Sequence, residues 1–147
     1  MAGRADSLRR VEGEVGVLLR RARRAIAERA RSVHPDLGSG AYLVLAHVVE
    51  HGPQRASDVA CALTVDKGGM SRTVQHLVDL GLLERQVDPD DRRAHRLAAT
   101  PDAARRLADV QRERSARFDA RLGHWTDAQV AGFADLMAAY NEALGAD

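Results

Sequence analysis

The chain is short of cysteine, aromatics and proline: one Cys, one Trp, two Tyr, two Phe and four Pro in 147 residues. Each shortage removes a class of answer. Cys61 alone excludes an internal disulfide, so the cytosol is the expected location. Aromatics at 3% leave the core to aliphatic side chains. Scarce proline beside abundant Ala, Leu and Val points to helices. No apolar run approaches the roughly 20 residues that span a bilayer, so no membrane partner is expected. MAGRADSLRR at the start has no apolar segment of the secretory kind. Also missing are G-x-S-x-G, the P-loop, H-E-x-x-H and the dinucleotide-binding glycines, so no enzyme and no cofactor is expected.

Strong charge of one sign is missing too. The net charge is +1, and bulk charge does not argue for nucleic acid. The distribution is uneven: residues 1–31 carry nine Arg against four acids, and residues 122–147 carry only acids. Arginines on a long helix are usually solvated or paired, so this excess does not by itself mark a DNA face.

What is present is helical periodicity. Leu8, Val11, Val15, Leu18, Ala22 and Ile26 form a stripe over about 6–31. Ser39 can cap a second helix, about 40–51, with Leu43, Val44, Ala46, Val48 and Val49 inward; His51-Gly52-Pro53 ends it. A short helix fits Ala56–Leu63. Asp66 can cap the next, which runs to about Leu80 with Met70, Val74 and Leu77 inward and Gly81 as its C′ residue. Leu83 to Val87, the turn Asp88-Pro89-Asp90-Asp91 and Ala94 to Ala98 make the only good hairpin candidate. Thr100-Pro101 opens a further helix, with Leu107, Val110, Arg114, Phe118 and Leu122 along one face. Thr126 to Gln129 is a capping box for the last, whose apolar side is Val130, Phe133, Leu136, Met137, Tyr140 and Leu144. The expected fold is mainly α: a winged helix-turn-helix lobe at about 38–99, flanked by long helices at about 5–32 and 101–145, in one domain over 1–147. The outer stripes exceed what a centre of some 60 residues can cover, which favours burial between two chains over packing within one.

The segment VDKGGMSRTVQHLVDLGLLER places Gly68 and Gly69 inside a helix, where each costs about 1 kcal/mol relative to alanine. A short helix, a tight turn and a second helix form the unit that reads DNA with the N-terminal residues of its second helix. Removing the buried positions leaves Lys67, Gly68, Gly69, Ser71, Arg72, Gln75 and His76 outward. Glycines there would let backbone N–H groups approach a phosphate; close helix packing or a frayed end would explain them equally well. Asp91, Arg92 and Arg93 at the hairpin tip fit a basic wing suited to a narrow minor groove, provided Asp91 pairs with an arginine and fixes its direction.

These motifs together resemble the MarR family of winged-helix transcription regulators. The resemblance is carried by Val59-Ala60, Ser71-Arg72, Leu77, Gly81-Leu82, Arg85, Asp91-Arg92-Arg93 and Leu97 to Thr100. It implies a homodimer joined by its terminal helices, with the recognition helices in successive major grooves of a pseudo-palindromic operator on double-stranded DNA. It also implies a small-molecule effector whose pocket residues no motif identifies, and release of the operator on effector binding, the behaviour of a repressor. Two departures stand out. Ala99-Thr100 replaces Leu-Thr after the wing, and Arg55-Ala56 replaces a Ser or Thr cap, leaving Arg55 or Ser57 to touch phosphate.

Other candidates fall to plainer readings. Cys61 as a redox switch lacks a stabilising environment beyond Arg55 or Arg72. His47 and His51, spaced i, i+4, could hold zinc only with further ligands such as His34, so no metal is assigned. Trp125 suits a helix staple and Tyr42 the core.

Overall fold

The computed structural model describes residues 3–145. Six helices and three short strands follow in the order α1 (Arg4–Val33), α2 (Ser39–His51), β1 (Gln54–Arg55), α3 (Ala56–Leu63), α4 (Lys67–Asp79), β2 (Leu83–Val87), β3 (His95–Ala99), α5 (Pro101–Leu122) and α6 (Asp127–Leu144). The backbone gathers into two compact units, Met1–Val110 and Gln111–Asp147.

In the first unit, one aliphatic core joins the end of α1 (Ala30, Val33), α2 (Val44, Leu45, Val48), Val59, α4 (Met70, Val74, Leu77), Leu82, Leu83, Leu97 and the start of α5 (Ala103, Leu107). Leu45, Leu77 and Leu82 are fully enclosed, each contributing about 1.5–3 kcal/mol by leaving water. The α4 set is the one its periodicity predicts. On α2 the expectation is rotated: Leu45 is buried and Leu43 is 45% exposed. That helix is apolar nearly all round, so periodicity does not fix which side faces in. Its N-cap is Gly38 rather than Ser39, which is already helical and makes no cap bond.

Local signals position the reading helix. Asp66 caps α4, accepting from the Gly69 N–H at 2.8 Å. Thr64 closes the α3–α4 turn in the left-handed region, at φ 54°, which costs a β-branched residue about 1–2 kcal/mol. Gly81, at φ 70°, takes the same region without strain just after α4. Thr100 then ties the wing to α5. Its hydroxyl donates to the Gly81 carbonyl at 2.9 Å and accepts from the Ala103 N–H at 3.3 Å.

The hairpin is one part of a three-stranded antiparallel sheet ordered β1-β3-β2. The third strand, β1, is missing from the sequence reading because two residues after Pro53 carry no alternation. Its register sets Arg55 opposite Arg96. In β2 only Leu83 is buried, and Val87 is 60% exposed; the alternation of this strand does not mark a covered face.

The second unit holds the end of α5 and all of α6. The expected capping box is present: Gln129 N–H donates to the Thr126 hydroxyl at 3.3 Å, and Thr126 N–H to Gln129 Oε1 at 2.9 Å. Trp125 meets Phe133 edge to face, with centroids 5.6 Å apart. No residue of α6 is buried, and Leu136 on its apolar side is 72% exposed.

Candidate nucleic-acid interface

The outward face of α4 is polar. Lys67, Gly68, Ser71, Arg72, Gln75 and His76 are exposed, Gly69 is half-buried, and Arg72 lies on the crest opposite Met70, Val74 and Leu77. Lys67, the only lysine of the chain, opens the helix.

One glycine of the pair, Gly69, has a local cause of its own. The Asp66 carboxylate sits over the first turn and takes the Gly69 N–H, so that donor is already occupied. This bond, chiefly, with the Arg72 guanidinium and the Gly68 N–H, holds the Asp66 carboxyl below its usual range; partial desolvation opposes the shift. A Cβ on Gly69 would lie 2.8 Å from that carboxylate, and one on Gly68 would lie 3.3 Å from it. Gly69 therefore makes room for the cap. Gly68, in looser surroundings and exposed, remains the glycine that a helix alone does not require.

Two side chains of this outward set are engaged within the protein. Gln75 Oε1 accepts from Arg85 on β2 at 3.1 Å, and Gln75 Nε2 donates to Asp79 at 2.7 Å. His76 Nε2 donates to the Asp36 carbonyl at 3.1 Å, tying α4 to the turn before α2. Beside α4 runs a groove of about 580 Å³. Its floor is Ala60, Met70, Val74 and Leu97, and its polar margin includes Ser57, Lys67, Ser71, Arg85 and His95.

The wing is organised by a residue that the sequence did not single out. Asp88 is fully buried. It accepts from Arg55 Nε at 2.7 Å, from Arg96 Nε at 3.3 Å and from the Asp90 N–H at 2.9 Å. Two arginines facing each other across a sheet repel; Asp88 pairs with both, and Asp90 adds a second carboxylate on Arg96. Its pKa falls to about 2, first through the Asp90 N–H and then through the Arg55 hydrogen bond, against desolvation. Reciprocally, Asp88 raises the pKa of Arg55. Arg55 is thus a structural partner of the wing, with Nε committed to Asp88. No sequence signal marks this hub, because it depends on the unseen strand β1.

Asp91, whose place in the wing was conditional on an arginine partner, meets Arg93 through the backbone. Its carboxylate accepts from the Arg93 N–H at 3.0 Å and closes the tip locally. The wing ion pairs among the described residues are Arg55–Asp88, Arg96–Asp88 and Arg96–Asp90. Arg92 and Arg93 are exposed at the tip.

His34, His47, His51 and Cys61 take no part in the hydrogen bonds of this face. His47 donates from Nε2 to Gln54 at 3.0 Å, and His51 from Nδ1 to the His47 carbonyl at 2.9 Å. His34 Nδ1 accepts from the Asp36 N–H. Cys61 is exposed on α3. Tyr42 packs against the core.

Comparison with known proteins decides what carries this face. The MarR family model matches residues 36–94, from the turn before α2 to the wing tip. A candidate transcriptional regulatory protein for the hcr operon of Thauera aromatica is 31% identical over 116 residues, covering 75% of this chain and 70% of the relative. The chain belongs to the MarR family. The uncharacterised HTH-type regulator YxaD of Bacillus subtilis is 26% identical over 91% of this chain and 92% of its own length. A MarR family transcription regulator of known structure, SP03579, aligns with a TM-score of 0.82 at 18% identity, over 96% of this chain and 92% of that one. RV1404 from Mycobacterium tuberculosis aligns with a TM-score of 0.73 at 24% identity, over 92% and 94%. The six helices and small antiparallel sheet are the winged-helix fold of MarR proteins. This MarR protein is a DNA-binding transcription regulator. No helix among its described residues is long and apolar enough to cross a membrane.

Proposed function

We propose that this MarR protein is a homodimeric repressor that reads a pseudo-palindromic operator and releases it when a small-molecule effector binds. The observation that carries the reading is the polar crest of α4 beside an arginine-tipped wing. Lys67, Ser71, Arg72, Gln75 and His76 offer donors and acceptors to groove edges and phosphates. Gly68 and Gly69 keep the first turn slim, and Arg92 and Arg93, with Asp91 shaping the tip, suit the flanking minor groove.

The dimer is supported by uncovered apolar side chains on the terminal helices. Leu8, Val11, Leu18 and Leu19 of α1 are exposed, as are Phe133, Leu136 and Leu144 of α6. MarR family regulators are dimers that bind DNA. A protein–protein adaptor with this shape would instead expose apolar residues along α4, where this chain places charge and amide groups.

The test is selection of bound duplexes from a random pool, followed by binding of the selected site over a salt series. Phosphate contacts give a log–log slope of about −0.9 per neutralised phosphate. Arg72→Ala should relax preference at one base pair per half-site, by about 1–3 kcal/mol. An equal loss on selected and random DNA would remove Arg72 from base reading.

A further inference from the structure

Gln75 differs from the other polar residues of α4 in being held at both ends of its amide. Arg85, a donor only, lies 3.1 Å from Oε1, and Asp79, whose carboxylate is an acceptor only, lies 2.7 Å from Nε2. Rotating the amide by half a turn would bring N–H against guanidinium and carbonyl against carboxylate, so one orientation is enforced. An amide has two N–H donors and two carbonyl lone pairs. One donor and one lone pair therefore remain after Arg85 and Asp79 are served. That is the pattern that matches adenine, whose N6 amino group donates and whose N7 accepts in the major groove.

We infer that Gln75 is an adenine-reading residue and that Arg85, from the wing strand β2, is the positioning residue that fixes its donor–acceptor polarity. The inference rests on α4 entering the major groove. Arg85 also joins the wing strand to the reading helix.

The test uses the full chain and the same random-duplex selection, applied to wild type, Gln75→Ala, Arg85→Met and Arg85→Lys, with thermal melting of each. Wild type should favour adenine at one position of each half-site by roughly 5- to 150-fold. Gln75→Ala and Arg85→Met should both lose that preference and keep the others, and Arg85→Lys, still a donor, should restore it. Retained adenine preference in Arg85→Met overturns the positioning role. So does an equal loss on every duplex with a salt slope shallower by about 1.8 per dimer, the mark of a phosphate contact. A wild type that enriches a motif with bases unaffected by either Gln75→Ala or Arg85→Met overturns this inference alone. A wild type that enriches no motif overturns the function reading as well.

Discussion

Gly68→Ala separates what the fold wants from what the interface wants. Glycine is the poorer helix former by about 1 kcal/mol in a helix interior, and somewhat less in a first turn. The added methyl would sit 3.3 Å from an Asp66 carboxylate oxygen and 3.9 Å from the Arg72 guanidinium, both ends of flexible side chains that can yield. The variant should therefore be more stable by about 0.5 kcal/mol, raising Tm by about 1–2 °C for a chain of this size. DNA binding should move the other way. A methyl on the exposed first turn holds the backbone off the duplex. Losing one hydrogen bond per protomer, at about 0.5–1.5 kcal/mol each, weakens a dimer by about 1–3 kcal/mol, or 5- to 150-fold. Calorimetric melting and fluorescence anisotropy on the selected duplex measure the two effects. A variant that is more stable and binds as tightly as wild type would refute an interface role for Gly68. Gly69→Ala is the control: its methyl would sit 2.8 Å from the carboxylate and displace the cap, so it should show no comparable gain in Tm.

Leu77→Ala opens a cavity where α4 meets the core. Leu77 is fully buried, so denaturant unfolding should show a loss of about 2–5 kcal/mol; a loss below 1 kcal/mol would mean that the core is not packed there. Asp88→Asn should destabilise the protein at neutral pH by taking the buried carboxylate from Arg55 and leaving Arg96 to Asp90 alone. The folded pKa of Asp88, about 2, lies below the unfolded value of about 3.9. Its carboxylate thus stabilises the fold fully above pH 4, and that contribution fades as pH falls to 2. The melting difference between wild type and Asp88→Asn should narrow across that window, and a constant difference would contradict the hub. Arg93→Ala should weaken binding mainly through the bases flanking the core site, seen by comparing operators with altered flanks; unchanged affinity would remove the wing tip from the interface.

The elements legible in the sequence are those with a strong local cause. Asp66, Gly81, Thr100 and the Thr126–Gln129 box each satisfy orphan groups at a helix end, and a cap needs no distant partner to be recognised. The buried line of α4 was equally plain, because its apolar residues occupy one narrow side. On α2 nearly every side was apolar, and Leu43 and Leu45 exchanged roles. The strand β1 was invisible because two residues have no period, and with it went the arginine pair that explains Asp88. At the interface, the residue types on α4 were readable while their hydrogen bonds were not. Gln75–Arg85 and His76–Asp36 join positions 10 and 40 residues apart. The glycine pair shows the same limit: the unusual composition was visible, but the cause of Gly69 in the Asp66 carboxylate needed the geometry of the first turn.

The most direct measurement is footprinting of the purified protein on its selected duplex, with the mass of the free protein determined by light scattering at micromolar concentration. We expect a dimer that protects two half-sites whose centres are one helical turn, about 10 base pairs, or a multiple of that spacing apart. A monomer in solution that protects a single half-site would contradict the paired reading heads on which the whole mechanism stands.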